Sequence, residues 1–205
     1  TYLVEEGPLV SVLEGADVLL REAGEPGRGV LVVGDPAFGP VRGDSPGCVD
    51  QDFEPLPGTG AEARAVASLL SGEDVELLTG SEATSASVGQ HAPGKRVIHL
   101  ATHGFFGTER CPSVLDPRSE GGVHPMALAG LALAGANEPA GPGDGLWTAT
   151  EVAALDLRGT ELVVLSACDT GRGQVVAGEG ALGLRRGFTE AGARSLVMSL
   201  WAVPD

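Results

Sequence analysis

Three short apolar runs, each hemmed by glycine, proline or charge, constrain this 205-residue chain more than any other feature: GVLVVGD at residues 29–35, KRVIHLAT at 95–102 and ELVVLSA at 161–167. None alternates apolar with polar, so each reads as a strand covered on both faces, as in a buried parallel sheet. Segments with helical period lie between them. Thr59 followed by Glu62 has the pattern of a capping box, and Ala63, Val66, Ala67 and Leu70 then share one helical face. A strand is expected at 75–79 and a helix from Thr84. Thr148 with Glu151 is a second capping box, and Ala181, Leu184, Phe188 and Ala191 form another helical stripe before a last strand at 194–200. Strands alternating with helices imply an α/β fold, a parallel sheet joined by right-handed crossovers.

Two stretches fit this pattern less well. Residues 104–145 are rich in Gly and Pro, with one apolar island at 126–136 that could supply a small hairpin strand. This is too long for a plain connector and is expected to border the functional site. The first 25 residues carry apolar clusters between Leu9 and Leu20 without boundary signals. Length and uniform composition favour one domain over residues 1–205, and both ends look cut from a longer protein.

Charge narrows the partners. Thirteen Lys and Arg against 28 Asp and Glu leave a net charge of −15, which repels phosphate backbones and anionic lipid surfaces and steers basic peptides inward. Neither nucleic acid nor a membrane is therefore an expected partner. The three cysteines, Cys48, Cys111 and Cys168, show no CxxC spacing and no second cluster to complete a zinc site. Free thiols in a reducing, cytoplasmic setting are expected, with no resident metal.

In an open parallel sheet, reacting groups gather beyond the carboxyl ends of the strands. Three strand ends here carry such groups: Asp35, His103 and Cys168. A cysteine-based acyl transfer needs a thiolate, an imidazole to hold and return the proton, and donors for the oxyanion. Cys168 and His103 would supply the first two, and the backbone N–H groups of Gly104 and Cys168 the third. A buried structural thiol and a satisfied core histidine are the alternatives for the same residues taken singly. His99 precedes His103 by four residues and invites a metal, but no HExxH pattern accompanies it, and residues four apart on a strand stand about 13 Å apart. It is expected in the core or in support of the site. Gly178, Gly180 and Gly183 match GxGxxG, with Asp205 downstream, yet ten residues separate Ala167 from Gly178. A dinucleotide fingerprint follows its strand directly, so close packing is the preferred explanation of these glycines.

The motifs HLATHGFF at 99–106, LVVLSACDTGRG at 162–173, GEGALGLRRGF at 178–188 and AGARSLVMSLWAVPD at 191–205 resemble the CHAT family of caspase-like and separase-like cysteine peptidases. Weaker matches, VVGDP, LPGTGAEARAVASLL and HPMALAGLALAGAN, follow in the same order. The resemblance implies a caspase-like three-layer sandwich with a mostly parallel central sheet, and a catalytic dyad of His103 and Cys168. It implies no metal or organic cofactor, a protein substrate in a regulated signalling or defence pathway, and helical-repeat domains of the TPR kind elsewhere in the chain. By the same likeness Asp205, in WAVPD, would help form an acidic pocket for a basic side chain. Asp35 is a second candidate and Asp169 a third, although Asp205 could equally cap a following helix and Asp169 only shape its turn. The family usually continues past this Asp with an amphipathic helix, before which the present sequence ends. A non-catalytic signalling or scaffold module on the same fold is the rival expectation.

Overall fold

The computed structural model describes residues 25–41, 52–107, 124–138, 145–167 and 179–198. In chain order its elements are β1 (Val30–Pro36), α1 (Pro57–Leu69), β2 (Val75–Gly80), α2 (Ser85–His91), β3 (Val97–Ala101) and β4 (Gly104–Phe106). There follow α3 (Pro125–Leu128), β5 (Ala129–Ala132), β6 (Leu146–Thr148), α4 (Ala149–Ala153), β7 (Leu162–Ser166), α5 (Glu179–Glu190) and β8 (Leu196–Met198). Five strands form one sheet in the order β2-β1-β3-β7-β8, every neighbouring pair parallel.

The apolar runs are continuous because both faces of this sheet are covered. Val30 and Val32 of β1 pack with Ala63 of α1, against which Val66 and Leu70 also lie. Leu31 and Val33 point the other way, into a larger cluster with Val88 of α2, Val152 of α4 and Leu184 and Phe188 of α5. The result is three layers, helix on sheet on helix. Each fully buried Val or Leu of β1 contributes ~1.5–3 kcal/mol, so a polar residue at any of these four positions would be costly. Helix α1 sits so close that a methyl group on Gly34 would lie 2.6 Å from both Ala63 Cβ and Thr59 O.

One of the two expected capping boxes is found, and the helix expected from Thr84 has that residue as its N-cap. Thr84 accepts the N–H of Ser87, and Thr148 with Glu151 makes the full reciprocal capping box. The capping box at Thr59 and Glu62 does not form. Pro57 occupies the first turn of α1, with Leu56 as N-cap, so the helix starts earlier than the box would require. Thr59 Oγ1 instead donates to Leu56 O at 2.7 Å and accepts the backbone N–H of Asp35 at 2.9 Å, tying the helix to the end of β1.

The Gly- and Pro-rich region supplies β4 and β5 of a second, antiparallel sheet, β4-β5-β6, which the residues just after it complete. The apolar island contributes one helical turn, α3, and then β5; its partners β4 and β6 are three residues each and had no strand signal of their own. Gly130 of β5 admits the ring of Phe105, which lies 2.5 Å from where a β-carbon would stand. Only Thr102 and His103 join β3 to β4. Thr102 donates its N–H to Ser166 O at the end of β7, while its hydroxyl donates to Ala132 O of the small sheet at 2.5 Å. Of the expected last strand at 194–200, Leu196–Met198 form β8 while Arg194 and Ser195 precede it; residues 199–205 lie outside the described residues.

Candidate active site

The register of the main sheet sets one level at its carboxyl edge: Gly34 of β1 stands beside Ala101 of β3, and Ala101 beside Ser166 of β7. Asp35 is one residue beyond that level, and His103 is two residues beyond it. Cys168 follows Ser166 by two residues in sequence and lies outside the described residues, as do Asp169, Asp205, Cys48, Cys111 and Gly178.

His103 is half-buried between two aromatic rings. Its centroid is 5.3 Å from that of Phe38, in the loop after β1, and 5.6 Å from that of Phe53, in the loop before α1. Its Nε2 lies 2.8 Å from the backbone carbonyl oxygen of Glu54. A carbonyl can only accept, so Nε2 carries the proton and, in the neutral ring, Nδ1 is the basic nitrogen. The apolar ring faces exclude water from the imidazole on two sides without offering it another hydrogen-bond partner.

Gly104 enters β4 as the residue opposite Leu131. On either side of β4 the His103 carbonyl accepts from Ala132 and Gly107 donates to Leu128 O, so the odd-numbered residues from 103 to 107 bond toward β5. In an antiparallel ladder the intervening residues direct their groups the other way. The N–H of Gly104 therefore points off the outer edge of the small sheet, away from β5.

The CHAT domain family matches residues 1–205, the whole chain. The chain belongs to the CHAT domain family. No curated protein matches it. CHAT domains are a caspase-like, peptidase-related family, and the parallel five-stranded sheet between helical layers is the caspase-like architecture.

Within this CHAT domain, Asp35 is committed to local structure at least in part. Its backbone is left-handed, at φ 49°, a conformation costly for any residue but glycine. Its N–H is held by Thr59, and its side chain covers Gly60, where a methyl group would come within 3.0 Å of Asp35 Cβ and 3.1 Å of Oδ2. His99 is buried under α1, its Nε2 2.9 Å from Glu62 Oε1, while Glu62 Oε2 accepts the Ser166 hydroxyl at 3.0 Å. The two histidines thus have separate partners. No group of three or more His, Cys, Asp or Glu among the described residues is arranged to hold a metal ion. Gly180 and Gly183 fall inside α5, not in a turn leading out of a strand.

Sequence reasoning missed four residues around His103: Phe38, Phe53, Glu54 and Asn137. The Glu54 contact uses a backbone carbonyl and leaves no side-chain signature. Asn137 did carry a signal, as the one polar residue closing the apolar island LALAGAN. It is buried, and its amide bonds to both stretches that hold the aromatic rings.

Proposed function

We propose that this CHAT domain is a cysteine endopeptidase with Cys168 as nucleophile and His103 as its base. The observation that carries the proposal is the contact of His103 Nε2 with the Glu54 carbonyl oxygen. That Nε2–H is spent on Glu54 O, which leaves Nδ1 to take a proton, at the sheet edge toward which β7 leads the chain before Cys168. In the first step the Cys168 thiol gives its proton to Nδ1 and the thiolate attacks the scissile carbonyl. The N–H groups of Gly104 and Cys168 stabilise the oxyanion, a role suited to an N–H that the β4–β5 ladder does not use. The imidazolium then protonates the leaving amine as the C–N bond breaks. Water, deprotonated by the same ring, hydrolyses the thioester and restores the thiol.

A net charge of −15 favours a basic substrate segment, with Asp35, Asp169 and Asp205 as the carboxylates that would receive a basic side chain. The free thiols fit a cytoplasmic setting, and no helix among the described residues is long and apolar enough to cross a membrane. Helical-repeat domains are the partners this reading assigns to the rest of the protein.

The test is selective labelling. A peptidyl electrophile with a basic residue next to the reactive carbon should modify Cys168 well before Cys48 or Cys111, and Cys168→Ala should end peptide cleavage with the fold retained. Equal labelling of the three thiols, or undiminished cleavage by Cys168→Ala, sinks the proposal; the first result is what a scaffold module would give.

A further inference from the structure

The side-chain amide of Asn137 does what a neighbouring β-strand would do. Its Oδ1 accepts the Phe53 N–H at 2.8 Å, and its Nδ2 donates to Phe53 O at 2.9 Å, so both backbone groups of that residue are held by one side chain. Nδ2 also donates to Gly39 O at 3.1 Å, and the Asn137 backbone N–H donates to Phe38 O at 2.8 Å. Asn137 is 3% exposed, in a setting where an unmet polar group is expensive. Its four bonds end on two stretches between β1 and α1, both remote from Asn137 in sequence.

Those stretches supply all the contacts described for the His103 ring. Phe38 comes from the first and Phe53 from the second, and Glu54, whose carbonyl takes the Nε2 proton, is the next residue after Phe53. Fixing both backbone groups of Phe53 fixes the plane of the Phe53–Glu54 peptide, and Glu54, as the residue before Pro55, has restricted φ and ψ, which carries that direction on to its own carbonyl. We infer that Asn137 is a positioning residue that holds the Glu54 carbonyl and the two aromatic rings on His103, and so keeps the proton on Nε2 and leaves Nδ1 bare. Only an amide fits this duty, since Phe53 requires an acceptor and two carbonyls require donors. A carboxylate supplies no donor, and an aliphatic side chain supplies neither.

The inference deepens the peptidase reading and rests on it for its consequence in catalysis, but its direct readout does not need cleavage. Asn137→Asp keeps the shape and the acceptor for Phe53 N–H while removing both donors. Long-range proton–nitrogen NMR of the intact protein reports which ring nitrogen of His103 bears hydrogen. With the ring neutral, the wild type should show the Nε2–H form alone, and Asn137→Asp a mixture of both tautomers. Cleavage should fall by about 100-fold, in kcat rather than KM, as for a misaligned catalytic group.

An unchanged tautomer in a folded Asn137→Asp protein overturns the inference. Should that variant fail to fold, the wild type still decides. Slow exchange of the Asn137 Nδ2 protons, with couplings across hydrogen bonds to the Phe53 and Gly39 carbonyls, supports it; fast exchange or an Nδ1–H tautomer at His103 overturns it. A tautomer that shifts in the variant while the wild type cleaves nothing would sink the peptidase reading and leave the positioning role standing.

Discussion

His99 and His103 leave the same strand four residues apart and enter opposite surroundings. His99 lies beneath α1 and bonds to a carboxylate, Glu62, which in turn holds Ser166 of β7. His103 stands past the strand end between two phenylalanines and bonds to a neutral carbonyl. The carboxylate links the His99 ring onward to a second strand, whereas a carbonyl can only accept and so fixes which nitrogen of His103 donates. The pair teaches that the partner, more than burial, separates a histidine that fastens helix to sheet from one whose second nitrogen is left for the proposed chemistry.

The sharpest way to break this comparison is to substitute each histidine. His103→Phe keeps an aromatic ring between Phe38 and Phe53, so it should cost no more than about 1 kcal/mol of stability, the worth of one hydrogen bond. Peptide cleavage should fall by about 1,000-fold or more, the loss expected when a catalytic base is removed. His99→Ala should do the reverse. It removes a buried ring and a hydrogen bond from the α1–sheet contact, at about 2 kcal/mol in urea unfolding, and leaves thiol labelling of Cys168 selective. A His99→Ala protein as stable as wild type, or one that keeps its stability and loses cleavage, would erase the distinction.

The smallest expected effect concerns His91, a third histidine. Its Nδ1 contacts Glu76 Oε1, and Lys95 Nζ lies 3.0 Å from Glu76 Oε2. Burial pushes the Glu76 carboxyl up, but hydrogen bonds from Lys95 and His91, with their charges, more than offset this and hold it below 4.5. A carboxyl depressed in the folded state adds stability above its unfolded value, and that stability is lost as pH falls through the folded value. Glu76→Gln should therefore flatten the acid limb of the stability profile below about pH 4.5 while changing neutral stability by about 0.5 kcal/mol or less. An unaltered acid limb would show that the pair contributes nothing.

The main sheet was legible because doubly covered strands need unbroken apolar runs, and VLVV, VIHLA and LVVLS are such runs. The placement of His103 at the carboxyl edge followed from the length of its run. Of the small sheet only β5 was legible, as the strand expected in the apolar island at 126–136; β4 and β6 were hidden because three residues each are too few to show a periodicity. The start of α1 was misjudged because Pro57 outranks a plausible capping pair, and the freed Thr59 and Glu62 took long-range partners instead. Glu54, Phe53 and Asn137 meet His103 or one another across gaps of 49 to 84 residues. No local pattern records such meetings; only the closed fold does.

The passage from β3 to β4 also sets a rule of length. Ala101 is pinned by the parallel ladder and Gly104 by the antiparallel one, so only Thr102 and His103 span the two. Neither ladder has slack. One added residue here would force a slip in one of the sheets and turn the imidazole from its partners, and one deletion would do the same. The spacing of this dipeptide is therefore as strict a requirement as the identity of the histidine itself, and grafting the site onto another sheet would have to copy the count before the chemistry.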